Sequence, residues 1–195
     1  MRDTLACRRG AMLGAMALLA GCNLPQPPEA RLPAPGGGVV LLDPARHAIF
    51  NTAHAFAASA PMAGRPWDTA QAISELEFLT VELRWNLRWT EMSPLAVMAF
   101  EQARPEWRGA LGIAADAPPQ AVIDALTRVR IAYAMQDQAM AAAALAPPLF
   151  TPGGAAALER LGALPRLPMT ARAARLAEQE LWRIQREGNN SQDWT

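Results

Sequence analysis

From residue 43 onward the apolar positions recur at helical spacing, and the breaks between runs fall mostly at prolines. Asp43-Pro44 opens the first run. An Asp or Ser ahead of proline is a helix-start signal, because the N–H that proline lacks has no partner in the first turn. Ile49, Phe50, Ala53, Phe56 and Ala57 share one face, His47, Asn51 and His54 the opposite one, and Pro61 and Gly64 close the element. Trp67-Asp68 opens a second helix over about 68–89. It carries two stripes, Ile73, Leu76, Thr80, Leu83 and Leu87 on one side and Phe78, Val81, Trp85 and Trp89 on the other. A helix apolar on two faces is central in a bundle. Glu75, Glu77, Glu82, Arg84 and Arg88 then fall in its seams.

Ser93-Pro94 opens a short helix to about Arg104, interrupted at Pro105 and followed by a turn of helix from Trp107 to Leu111. Pro118-Pro119 opens the longest run, about 119–146, with Val122, Leu126, Val129, Tyr133 and Met140 in register and an alanine-rich end that admits a close neighbour. Thr151-Pro152 begins a short helix to about 163. A last helix over about 170–187 buries Ala173, Ala177, Leu181 and Ile184 and ends at Gly188 as a C-cap. The only period-2 stretch, Val39 to Leu42, is too short to build a sheet. The expected fold is therefore all-α: an irregular five- to six-helix bundle-like domain over about 43–187, with a flexible tail over 188–195.

Composition agrees with a filled core. Of 195 residues, 51% are hydrophobic and 18% charged, which argues against wholesale disorder. The formal net charge is zero and every cationic side chain is Arg. Nothing forms the basic footprint of nucleic-acid binding, so no nucleic-acid partner is expected.

The first 22 residues follow a different pattern. Arg2, Arg8 and Arg9 precede an apolar run from Ala11 to Ala20. That run is too short to span a bilayer core of roughly 30 Å. A positive start, a short apolar stretch and small closing residues make a secretory signal over 1–21. Leu19-Ala20-Gly21-Cys22 resembles the lipobox of bacterial lipoproteins. The resemblance is confined to residues 1–22. It implies cleavage between Gly21 and Cys22, diacylation of the Cys22 thiol, and often acylation of the new amino terminus. Anchoring by two or more acyl chains is lasting, whereas a single chain binds marginally. Arg8-Arg9 also resembles a twin-arginine export signal, which leaves both export routes open. By the same resemblance, Asn23 after the cysteine favours the outer membrane over the inner, with the domain on the periplasmic side. The second cysteine, Cys7, lies within the signal, so the mature domain has no disulfide to stabilise it.

Residues 23–38, NLPQPPEARLPAPGGG, read as an extended tether. At about 3 Å per residue they reach up to roughly 50 Å, which makes 22–42 a lipidated cysteine and linker.

No recognisable catalytic or cofactor motif follows. His47 and His54 lie about 10 Å apart along a helix, too far to share one metal ion without further ligands, and read as solvent-facing. Glu75 and Glu82 share a face without the Glu-x-x-His partners of a di-iron bundle. There is no phosphate loop, nucleophile elbow or His-Glu-x-x-His, so no catalytic residue, metal ion or cofactor is expected. Six tryptophans are many for this length. Trp85, Trp89 and Trp107, with Arg84 and Arg88, are candidates for a pocket or interface, and Met92, Met98, Met135 and Met140 for further lining. The expected function is a lipid-anchored envelope accessory protein working by contact with an envelope protein partner. The alternative is a carrier or sensor of an apolar small molecule in a Trp/Met-lined pocket.

Overall fold

A computed structural model describes residues 26–33, 43–57 and 62–192. Within them seven α-helices follow one another: α1 Pro44–Ala57, α2 Pro66–Trp85, α3 Pro94–Leu111, α4 Pro119–Ala134, α5 Gln138–Ala143, α6 Gly154–Gly162 and α7 Pro168–Gln192, with a 3-10 turn at Leu87–Trp89 between α2 and α3. Among the described residues the β structure is a single antiparallel bridge, Ile113 to Phe150. The fold is all-α, as the sequence leads one to expect. The candidate strand at 39–42 and residues 1–22, where a secretory signal and lipobox are expected, lie outside the described residues.

α2 is the axis. Ile73, Leu76, Leu79 and Leu83 are buried on one side and Phe78 and Val81 on another. It packs against α1, α3, α4 and α6. Its two apolar stripes are thus buried along most of the helix, as anticipated for a central one, with Trp85 and Leu87 exposed at the far end. α7 covers α1 and α3. Ala173, Ala174 and Ala177 on α7 and Ala45 and Ala48 on α1 are all buried. Phe50 of α1 and Trp182 of α7 seal their seam with ring centroids 5.2 Å apart.

Four boundaries depart from expectation. Pro105 does not interrupt α3, which runs on to Leu111. A proline inside a helix costs about 3 kcal/mol or more. Here the stripe Ala96, Phe100, Ala103, Trp107 and Leu111 is buried along its whole length, and that burial holds the helix through the break. The long run expected over 119–146 is two helices. Gln136 adopts φ 58°, and the Asp137 side chain accepts the N–H of Met140, 2.8 Å, which caps a fresh start. α2 ends at Trp85, and its continuation to 89 is 3-10. α7 passes through Gly188 and extends to Gln192.

Two glycines are required where loops meet helices. Gly112 ends α3 with φ 70°, and an added Cβ would lie 2.6 Å from the Pro152 ring. At Gly154 an added Cβ would overlap the carbonyl oxygen of Ala142, so α6 rests directly on the end of α5.

The proline-rich linker is partly docked. Ala30 and Leu32 pack against the core. The Arg31 N–H donates to Gln120 Oε1, 2.6 Å, and Gln120 Nε2 donates back to the Arg31 carbonyl, 3.3 Å. One glutamine side chain therefore pairs with an extended backbone as a neighbouring strand would. A free tether over all of 23–38 is not what this segment forms.

Candidate interaction surface

The end of α2 is fixed by a capped turn. The Asn86 side chain accepts the N–H of Arg88, 3.2 Å, and starts the 3-10 turn. Glu82, one turn back, gathers the surroundings on one oxygen: Asn86 Nδ2 at 3.0 Å, Arg88 Nε at 2.9 Å and Trp89 Nε1 at 3.1 Å. Arg88 then reaches Asp43 at the start of α1 with both terminal nitrogens, 2.8 and 2.9 Å. Its guanidinium lies over the Trp89 ring, 4.8 Å from the centroid. Partial burial works against the charge on Asp43. The Arg88 fork and the backbone N–H groups of Ala45 and Arg46 outweigh it and hold the carboxyl below its ordinary value.

Four of the five residues singled out in the sequence therefore come together here: Arg84, Trp85, Arg88 and Trp89. Their roles differ. Trp89 is buried and its N–H is used. Arg84 pairs with Glu101 at 3.3 Å, and Arg88 is paired twice. Trp85 remains 42% exposed beside Arg84, whose guanidinium carbon is 5.9 Å from the ring. With Val81, Glu82, Asn86 and Leu87 it lines an open hollow of about 380 Å³. Leu87 is 84% exposed. The helical stripe assigned it to the core; the extended backbone of Asn86, φ −87° and ψ 118°, ends that register just before it.

Trp107 is not part of this surface. It is wholly buried, and its Nε1 donates to Glu77 at 2.9 Å. Nor do the tryptophans and methionines line a common chamber. Trp67 meets Tyr133 in a tilted contact, ring centroids 5.2 Å apart, and Trp182 meets Phe50 likewise, while Met98, Met135 and Met140 are exposed and Met92 is buried. Trp194 lies outside the described residues, as do Gly21 and Cys22.

Sequence reasoning placed Glu75 and Glu77 in the seams of α2 but did not show that both are buried or what holds them. Glu77 is wholly buried and receives Arg104 Nε and Nη2, Trp107 Nε1, and Arg108 Nε and Nη2 at 2.8–3.2 Å. Arg108 also donates to the carbonyls of Ala114, Ala115 and Ala117 at 3.0–3.1 Å. The legible signal was the i, i+3, i+4 set of Arg104, Trp107 and Arg108, three donors on one face.

Glu75 sits in the α1–α2 seam. Asn51 Nδ2 donates to one oxygen and Gln71 Nε2 to the other at 3.0 Å, and His47 Nδ1 lies 3.7 Å away. Burial pushes the Glu75 carboxyl up from its ordinary value, against the carboxamide bonds and the charges of His47 and Arg130. Beside it Asn51, His54, Ala55, Met62, Arg65, Asp68 and Gln71 line a polar hollow of about 210 Å³. The α1 face carrying His47, Asn51 and His54 is therefore a packed seam in part, with His47 half exposed and His54 at the rim.

Among the described residues no group of three or more His, Cys, Asp or Glu is placed to hold a metal ion, and no helix is long and apolar enough to cross a membrane. No family model, no curated protein and no solved structure matches this chain.

Proposed function

We propose that the chain is a lipid-anchored accessory protein of a bacterial envelope, held at a periplasmic membrane face through Cys22 and working by contact with another envelope protein. The observation that carries this reading is Leu19-Ala20-Gly21-Cys22 at the end of a basic, short apolar segment. The use of the buried charges supports a binding role. Glu77 and Arg108 have every described polar atom engaged in holding α2, α3 and the loop before α4, and Glu75 is bonded within a helix seam. These groups serve architecture rather than a reacting centre.

Mass spectrometry of the native protein tests the anchor. It is expected to find an amino terminus at Cys22 bearing diacylglycerol on sulfur. Cys22→Ser is expected to move the protein from the membrane to the soluble periplasmic fraction, and in-cell cross-linking to capture a defined envelope protein with the acylated form alone. A native chain that starts upstream of Cys22, or a Cys22→Ser form that fractionates unchanged, defeats the reading.

A further inference from the structure

One end of the helical domain gathers several helix termini. The Trp67–Tyr133 contact places the start of α2 against the end of α4. Arg108, paired with Glu77, bonds Ala117 just ahead of α4. α2 and α4 are therefore antiparallel, and the last turns of α2 lie beside the first turn of α4. Asp43 ahead of α1 is paired with Arg88 just past α2, while His47 and Asn51 meet Glu75 farther back, so α1 also begins at this end. The pairs Arg84–Glu101 and Arg104–Glu77 place the start of α3 there too. Trp85, Leu87 and Leu95 stand exposed at this end, by 42, 84 and 71%.

The chain ahead of the domain arrives at the same place. Arg31 is pinned to Gln120 in the first turn of α4. From Cys22 to Arg31 is nine residues, roughly 28 Å at the extended rise of a proline-rich segment. The next fixed point, Asp43, is also at this end. The chain from Cys22 thus joins the domain beside the first turn of α4, at the end where Asp43 also lies.

We propose that the Trp85–Leu87 pole rests on the bilayer surface, with the Trp85 ring at headgroup depth and Leu87 inserted beside it. The inference depends on the lipid anchor proposed above and adds the orientation. Tryptophan suits that depth because its ring is apolar and its N–H is polar. A patch of two or three side chains binds lipid weakly by itself. Tethering raises the effective concentration to the order of millimolar, so weak insertion suffices. Arg84 and Arg88 flank the patch with their charges already balanced by Glu101, Asp43 and Glu82. The contact is therefore apolar rather than electrostatic, and resists salt.

The test uses the full acylated chain in native membranes or reconstituted phosphatidylethanolamine/phosphatidylglycerol vesicles. With Cys7 removed and Cys22 acylated, Leu87→Cys and Met135→Cys each carry one free thiol for a fluorophore. Met135 is also exposed, 65%, and lies at the far end of α4, roughly 22 Å along the helix from Gln120. A nitroxide on the lipid acyl chain is expected to quench the Leu87 label at least threefold more than the Met135 label, equally at low and high salt. Equal quenching, or stronger quenching at Met135, in a chain that stays membrane-bound overturns the orientation and leaves the anchor standing. A Leu87 label shielded from lipid but cross-linked to a protein also overturns it. A free Cys22 thiol with the chain in the soluble fraction overturns the anchor and the orientation together.

Discussion

The Arg108 guanidinium meets the Glu77 carboxylate side-on, through Nε to Oε1 and Nη2 to Oε2, both 2.8 Å, with both side chains removed from solvent. Such a pair is weak support for stability when compared with an apolar substitute, but breaking one half strands a buried charge. Glu77→Leu is expected to cost about 3–5 kcal/mol, read as a lowered urea midpoint at unchanged slope. Arg104, at the rim of the network, is expected to cost less when changed to Ala. Adding Arg108→Leu to Glu77→Leu should recover part of the loss. The remainder reflects the Ala114, Ala115 and Ala117 carbonyls that Arg108 also satisfies.

Two carboxyls should give opposite pH slopes. Burial raises the folded value of Glu75. Its contribution is thus fully present below the unfolded value and is lost as pH rises through the folded one. Glu75→Gln is expected to remove that decline and to be neutral or stabilising at pH 7. Glu75→Leu leaves the Asn51 and Gln71 amides without an acceptor, at a cost of about 1 kcal/mol. Burial opposes ionisation of Asp43, but Arg88 and two backbone N–H groups lower its folded value. Its contribution is present above the unfolded value and is lost as pH falls through the folded one. Asp43→Ala should cost about 1–2 kcal/mol at pH 7, where the α1 cap is also lost, and less in acid. Thermal melts of the variants between pH 3 and 8 measure both slopes.

Gly154→Ala distinguishes local preference from packing. Within an ordinary helix Ala is favoured over Gly by about 1 kcal/mol. At Gly154 the new methyl would meet the Ala142 carbonyl, so a net loss of about 1–3 kcal/mol is expected by calorimetry.

Gln120→Ala removes both bonds that hold the Arg31 backbone. Global stability should fall by no more than about 1.5 kcal/mol. Amide exchange at Arg31 and proteolytic cutting near residue 31 should both accelerate, since a segment held by few contacts opens locally. Unchanged exchange at Arg31 would mean that Ala30 and Leu32 alone hold it.

The stripes on α2, α4 and α7 were legible because burial selects apolar side chains at the 3.6 period whatever the neighbouring helix turns out to be. The Ser93-Pro94 start of α3 was legible for a local reason: the serine Oγ accepts the N–H two residues on. Pro105 was misread because the burial that carries α3 through it lies in other helices. The break at Gln136 was missed because its determinant, the Asp137 cap, sits inside a run of helix formers. Of the surface residues, Arg84, Trp85, Arg88 and Trp89 were legible as neighbours along the chain. Leu87 was assigned to the wrong side, because the extended backbone of Asn86 (φ −87°, ψ 118°) ends the helical register one residue before it.

By itself, the sequence determined an all-helical domain with α2 at its centre, and it carries Leu19-Ala20-Gly21-Cys22, whose resemblance to a lipobox is what the proposed anchor rests on. Those are consequences of periodicity, capping and short-range motif, which need no partner. Only the tertiary structure decided that Glu77 joins α2 to α3, that Trp107 belongs to that join, and that the linker folds back onto Gln120. Each of these is a contact between residues 27 to 89 positions apart. The chemistry of either partner alone does not reveal it, because a buried charge or a bound backbone is stable only once the other side is in place.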